Sequence, residues 1–340
     1  MRVAVTGATG LIGRRLVASL RARGDEVTVL TRDPARARAA LSDSAPDSTG
    51  TRGSHQAPAP DSDDGSPGGL ETMRWDPLGE PAPTAALAGR DAVVHLAGEN
   101  VAQRWSASAK QAILDSRVGG TKQLVRGLAA IEPSQRPRVL VSGSAIGYYG
   151  TRGDEPIDED APAGEDFLAR TCRAWEIEAL EAQSLPLAVA GAGTRAMRVA
   201  TLRTGVVLDR DGGALGKMLP PFKLGVGGPV AGGRQFVSWI HTDDVVGIAL
   251  AAIDGEQWQG PINGTAPEPR RNRDFSRALG QALHRPSLLP VPGAALRLLY
   301  GEMAEIVTGG ARVLPAKALV LGYEFRYPKL DAALEAALGD

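Results

Sequence analysis

The stretch RVAVTGATGLIGRRLV, residues 2–17, constrains the fold more than any other part of the chain. A short β-branched run ends at a glycine, and Gly7, Gly10 and Gly13 follow in the spacing G-x-x-G-x-x-G. Apolar residues then recur with helical period until Gly24, and a second strand, EVTVLTR, comes directly after. Strand, glycine turn, helix and strand within the first 32 residues open a parallel βαβ unit. In that setting Gly7 permits the tight turn, Gly10 lets a ligand approach the backbone, and Gly13 lets helix and strand pack closely. The free N–H groups and partial positive charge at the helix start suit a pyrophosphate, so Gly7, Thr9, Gly10, Leu11, Ile12 and Gly13 are the expected cradle of a dinucleotide.

The rest of the chain continues the alternation. ETMRWD reads as a third strand, PTAALAG as a short helix and DAVVHLAG as a fourth strand with the near-continuous apolar run of a sheet covered on both faces. A long helix spans about Ser106 to Ala130, RPRVLVSGS is a fifth strand, EDFLARTCRAWEIEALEAQ a helix and MRVATLRTGVVL a sixth strand. This pattern predicts an α/β fold, a Rossmann-type doubly wound parallel sheet, with a smaller discontinuous C-terminal cap. Residues 1–208 form the nucleotide-binding domain in this reading, with 236–256 returning to it, while 209–235 and 257–340 form the cap. Residues 42–69 hold almost no apolar side chain larger than alanine, so a disordered surface insertion is expected there.

Charge narrows the function. The 38 Lys and Arg against 39 Asp and Glu leave a net charge of -1, which argues against nucleic acid or an anionic membrane as partner. No apolar run is long enough for a membrane span, and the start lacks a leader pattern, so a cytoplasmic protein is expected. Cys172 is the single cysteine, and His55, His95, His241 and His284 have no ligand spacing, so no metal is expected. The partner class left is a small-molecule substrate, with the chain acting as monomer or homodimer.

The end of the second strand bears on which dinucleotide is held. Thr31-Arg32 stands where an acidic residue would bind the ribose hydroxyls of NAD, and a guanidinium pairs well with the 2′-phosphate of NADP. Asp33 follows and would pull the other way. NADP (as NADPH) is the expected cofactor, with NAD second.

With these motifs in place, the chain resembles the extended short-chain dehydrogenase/reductase superfamily, in its NAD(P)-dependent epimerase/dehydratase group. VTGATGLIG, DAVVHLAGEN, the serine-rich end of the fifth strand and WIHTDDVV carry the likeness. HLAGENVAQRW, SAIGYYG, CRAWE, GGPVAGGRQFVSWIH and VLPAKALVLGYEFRYP resemble an epimerase-like subfamily with a short C-terminal domain of unknown function, some members of which are linked to cell or plastid division. The resemblance implies that Leu96, Ala97 and Gly98 pass beside the cofactor and that Ser144 orients a substrate hydroxyl or carbonyl. It also implies a catalytic tyrosine 24 residues after Ser144 and a lysine four further on. Those positions hold Leu168 and Cys172, while Glu176 matches an acidic position of the family and Arg117 replaces an asparagine.

A leucine and a cysteine do neither job of that pair, which is to move the proton of the oxygen on the reacting carbon and to hold the ribose. Tyr148 and Tyr149, just beyond Ser144, are the candidate replacements, or else simple walls of the pocket. Arg117 would hold a ribose or phosphate oxygen or stabilise a phenolate. Glu99 and Asn100 are further pocket candidates. Arg203 through Val207 is expected to offer backbone groups to the carboxamide, and Lys217, Lys223 and Arg234 are candidate contacts for an anionic substrate. His95 and His241 read as buried structural histidines, and Cys172 as core. Two functions fit: an NADP-dependent oxidoreductase or epimerase acting on a small polar substrate, nucleotide sugars among the candidates, or an NADP(H)-binding sensor or scaffold with little catalysis.

Overall fold

The computed structural model describes residues 1–42, 68–189 and 193–339. The expected insertion at 42–69 lies outside the described residues apart from its first and last positions, 42, 68 and 69. The centre is a seven-stranded sheet of β1 (Arg2–Thr6), β2 (Glu26–Thr31), β3 (Leu70–Arg74), β4 (Ala92–His95), β5 (Val139–Ala145), β6 (Arg198–Thr204) and β7 (Gly260–Gly264). Every pairing is parallel, in the order β3-β2-β1-β4-β5-β6-β7. The order reverses between β1 and β4, and ligands of open α/β sheets bind at that switch point, outside the C-terminal strand ends.

Helices α1 (Leu11–Ala22), α2 (Pro34–Ser42), α3 (Thr84–Leu87), α4 (Ala107–Ala129) and α5 (Phe167–Leu180) follow strands β1 to β5 in turn. Side-chain alternation sends Val3, Val5 and Val94 into one core with Leu16 and Leu20 of α1. Ala4, Val93 and Leu140 point the other way, against Leu124 and Leu128 of α4. These strands are apolar throughout because both faces are covered.

Three elements differ from the sequence reading. The expected sixth strand breaks at Gly205, where a Cβ would stand 2.4 Å from the Ser238 carbonyl oxygen. There the chain leaves the main sheet, and Val206–Leu208 pairs in parallel with Trp239–His241. The strand Gly260–Gly264 is a correction to the cap boundary: it completes the central sheet beside β6 instead of belonging to the cap. A hairpin of Pro186–Val189 and Gly193–Ala196, absent from the reading, precedes β6.

Helix α6 (Gly213–Lys223) starts the cap. Helix α7 (Thr242–Asp254) returns to the first core, where Val245, Ile248 and Ala249 pack. The cap has its own core, in which Leu215 and Phe222 of α6 meet Phe275 and Leu279 of α8 (Asn272–Ala282) and Leu334 of the helix Leu330–Leu338.

Candidate cofactor and catalytic site

The glycine turn after β1 is closed by backbone contacts. Gly7 has φ +69, and a Cβ on it would lie 2.6 Å from the carbonyl carbon of Leu96 after β4. A Cβ on Gly13 would lie 2.2 Å from the Gly7 carbonyl oxygen. Only glycine lets these three segments touch. Gly10 and Thr9 are exposed, Leu11 and Ile12 are half-buried, and no side chain caps α1. The N–H groups of its first turn are therefore open to an anion. The Leu11 side chain reaches Gly213 at the start of α6, so the cap begins beside the cradle.

At the end of β2, Arg32 is exposed and pairs with no described residue. Asp33 Oδ1 accepts the Arg36 N–H at 3.0 Å, which makes it the cap of α2, and its own N–H donates to Thr31 Oγ1 at 3.3 Å. The carboxylate that would favour NAD is thus occupied at a helix end while the guanidinium beside it is unpaired. Cradle and cation together fit a dinucleotide bearing a 2′-phosphate.

Leu96, Ala97 and Gly98 lie where β4 leaves the sheet, and Thr6, at the end of β1, accepts the Ala97 N–H at 3.3 Å through its Oγ1. A Cβ on Gly98 would stand 3.2 Å from the Arg117 guanidinium carbon. Arg117 Nη1 donates to the carbonyls of Glu99 at 3.0 Å and Ile113 at 3.3 Å, and the guanidinium stands 5.2 Å over the Trp175 ring. Burial lowers its pKa from the ordinary arginine value. Arg117 therefore pins the loop after β4, and its Nε and Nη2 make no hydrogen bond among the described residues. Val207 is half-buried, and its carbonyl oxygen faces Gly213.

The C-terminal end of β5 carries a connected buried network. Ser144 Oγ donates to Glu176 Oε1 at 2.6 Å. Arg203 grips the same carboxylate with two hydrogen bonds, Nε to Oε1 at 2.8 Å and Nη2 to Oε2 at 2.8 Å. Its Nη1 donates to the Tyr149 hydroxyl at 2.9 Å and the Glu159 carbonyl at 3.0 Å. Tyr149 in turn donates to Asn263 Oδ1 at 2.7 Å, on β7. Burial alone would lower the Arg203 pKa, but its bonds to Glu176 outweigh that and hold the guanidinium above its usual value.

Two assignments are corrected by this network. Arg203 is not a cofactor contact: its side chain is 3% exposed and fully engaged, and its backbone lies between β5 and β7. Tyr149 is not a free acid. It is wholly buried, its hydroxyl is bonded on both sides, and burial pushes its pKa up to about 12 against the pull of Arg203.

Tyr148 is different. It is half-exposed, its hydroxyl makes no hydrogen bond among the described residues, and its ring lies face-on beneath the Arg203 guanidinium, 3.5 Å from carbon to centroid. The Tyr149 ring meets it edge-on at 5.3 Å. Leu168 packs against Gly147 instead of holding a phenol, and burial, with the Glu176 charge, pushes the Cys172 thiol up to about 12.

Glu176 and Asn263 are site residues to which the sequence reading gave no role. Glu176 had a signal: it falls four residues after Cys172 and eight after Leu168, on the helix face where the catalytic pair was expected. Asn263 had none, since its partner lies 114 residues away.

Other candidates are peripheral. Lys217 Nζ donates to the Ala102 carbonyl at 2.6 Å, while Lys223 and Arg234 are exposed. His95 is fully buried between Thr6 and Thr121, and burial lowers its pKa to about 4. His241 is the N-cap of α7, with Nδ1 accepting the Asp243 N–H at 3.1 Å. Among the described residues no three His, Cys, Asp or Glu side chains group as a metal site requires.

A dinucleotide cradle at the β1–β4 switch point, followed by a serine at the end of β5, defines a class. The chain belongs to the NAD dependent epimerase/dehydratase family, whose model matches residues 3–262. A domain of unknown function matches residues 291–337. Among particular relatives, the chain is 41% identical over 340 residues to the epimerase family protein SDR39U1 homolog, chloroplastic, of Arabidopsis thaliana, covering 99% of this chain and 87% of the relative. The crystal structure of human epimerase family protein SDR39U1 (isoform2) with NADPH superposes with a TM-score of 0.78 at 32% identity, covering 100% of both chains. UDP-glucuronic acid 4-epimerase from Bacillus cereus shares the fold, with a TM-score of 0.70 at 18% identity and coverage of 99% and 98%.

Proposed function

We propose that this protein is an NADP-dependent oxidoreductase or epimerase acting on a secondary alcohol of a small polar substrate, with Tyr148 as the residue that moves the proton. The observation that carries the reading is the unbonded hydroxyl of Tyr148, held at the strand edge by the ring's contact with buried Arg203. Support for the cofactor comes from the unpaired Arg32, from Asp33 being used as a helix cap, and from the relative crystallised with NADPH. When bound, that group supplies or accepts the hydride.

The remaining chemistry falls to the chain. Ser144 has its own proton committed to Glu176, so its lone pairs are left for a donor, which suits a substrate hydroxyl better than a carbonyl. Tyr148, half-exposed and stacked on a fixed cation, exchanges the proton of that hydroxyl. Glu176 and Arg203 touch neither cofactor nor substrate in this scheme and act by fixing the serine and the tyrosine.

Replacement of the usual pair by Leu168 and Cys172 favours a second reading, a sensor or scaffold that binds NADP(H) with little turnover. A substrate screen of secondary alcohols and nucleotide sugars with wild type and Tyr148→Phe separates the two. The enzyme reading expects turnover that falls by about 10²–10⁴-fold in the variant, the usual worth of a general acid or base. Turnover untouched by the change would remove Tyr148 from the mechanism, and NADPH binding with no turnover would favour the sensor.

A further inference from the structure

The balance of 38 basic and 39 acidic residues is an average over an uneven surface. No carboxylate residue occurs between Asp211 and Asp243, nor between Asp274 and Glu302. In the fold these two stretches meet. The Val291 N–H donates to the Pro229 carbonyl at 2.9 Å, the Ala231 N–H to the Val291 carbonyl at 3.0 Å, and Arg285 Nε to the Lys223 carbonyl at 3.2 Å. Lys223, Arg234, Arg285 and Arg297 are all exposed, and none forms an ion pair among the described residues.

The same stretches carry the most exposed leucines of the cap. Leu288 is 83% exposed, Leu298 79% and Leu224 78%, with Val226, Leu289 and Leu299 exposed beside them. Leu288 and Leu289 stand between Pro286 and Pro290, so a stiff loop presents them outward. Helix α9 (Gly293–Tyr300) buries none of its residues. An eight-residue helix is marginal in water without a packed face. Large apolar side chains left exposed on two joined stretches of the cap mark a candidate interaction surface.

We infer that this face of the cap docks on an anionic lipid surface, with the leucines entering the interfacial region and the four cations meeting the headgroup phosphates. Apolar protrusions carried on the same stretches as unpaired cations are what such a surface selects. A second copy of the chain is a poorer occupant, because two-fold pairing would set the unpaired Lys223, Arg234, Arg285 and Arg297 of one copy toward those of the other. Docking here is peripheral: among the described residues no helix is long and apolar enough to cross a membrane.

The test is flotation of the full-length protein with vesicles of phosphatidylcholine alone and of phosphatidylcholine mixed with phosphatidylglycerol. Association with the mixed vesicles only, weakening as salt is raised, is the expected result. The double variant Leu288→Asp, Leu289→Asp abolishes it, and Arg285→Gln and Arg297→Gln each weaken it by about fivefold at low salt. NADPH binding, retained in every variant, shows that the chain is folded and is independent of any catalytic activity. Absence of association with the anionic vesicles at low salt overturns the proposal. So does association that survives the leucine changes, or a concentration-dependent dimer that the same changes dissolve.

Discussion

The guanidinium carbon of Arg203 lies 3.5 Å from the centroid of the Tyr148 ring. Its Nε and Nη2 hold both oxygens of Glu176, and through that carboxylate they hold Ser144. One buried cation therefore fixes the two side chains assigned to the substrate, a task that the family pattern gives to groups on the helix after β5.

The pair makes a stability prediction. Glu176→Leu leaves Arg203 charged and unpartnered in a buried site, which destabilises the protein by about 3–5 kcal/mol. Arg203→Met does the same to Glu176. The combined change costs less than the sum, since neither charge is left behind. Urea unfolding midpoints of the four proteins read this out, and strictly additive losses would contradict it.

The proposed cofactor reading makes Arg32 the residue that selects NADPH over NADH. Arg32→Ser removes a charge-assisted contact to the 2′-phosphate, so NADPH affinity drops by about 10- to 100-fold while NADH affinity holds. Asp33→Ala, by contrast, loses a helix cap, about 1 kcal/mol of stability, with no change in the NADPH to NADH ratio. Fluorescence titration with both nucleotides distinguishes the two roles; a ratio shifted by Asp33→Ala and not by Arg32→Ser would reverse them.

Gly13→Ala places a methyl 2.2 Å from the Gly7 carbonyl oxygen. Backbone must shift, and the turn that cradles the pyrophosphate shifts with it. The expected result is loss of nucleotide binding together with a lowered unfolding midpoint, measured in the same preparation. Unchanged NADPH affinity would mean that the cradle lies elsewhere.

His95 makes stability depend on pH. Its folded pKa of about 4 lies below the ordinary value of 6.5, because burial opposes the charged form. The unfolded chain therefore takes up the proton first. The contribution is complete above pH 6.5 and is lost as pH falls toward 4. The span corresponds to about 3 kcal/mol. His95→Gln lacks this slope, so wild type loses more stability than the variant between pH 7 and pH 4.5 when urea midpoints are compared.

What the sequence revealed follows from range. The cradle is local: three glycines, one strand and one helix within the first 22 residues, each needed for a reason that a sequence displays. The alternation of strands and helices was equally legible, because both faces of the sheet's centre are buried and strands such as β1 and β4 are mostly apolar. The buried network of Ser144, Glu176, Arg203 and Tyr149 was not. Arg203 looked like a cofactor contact because it ends a strand at the ligand edge, and only tertiary pairing with Glu176 turns it inward. Tyr148 and Tyr149 are adjacent in sequence, and nothing in GYYG separates the half-exposed ring from the buried one. The seventh strand, GPING, is too short and too rich in glycine and proline to show a strand's alternation.

Tyr149 reaches Arg203 across 54 residues and Asn263 across 114. The close backbone contacts of Gly7, Gly10 and Gly13, by contrast, all lie within the chain as far as Ala97, just past β4. Order of synthesis therefore separates the two halves of the site. As the chain leaves the ribosome, these glycine contacts can close once β4 has emerged, while the Arg203–Tyr149–Asn263 network waits for β7 to dock on β6. Pairings of such sequence separation form late. Any folding intermediate lacking the final strand leaves the Tyr149 hydroxyl without its acceptor and the cluster unfinished.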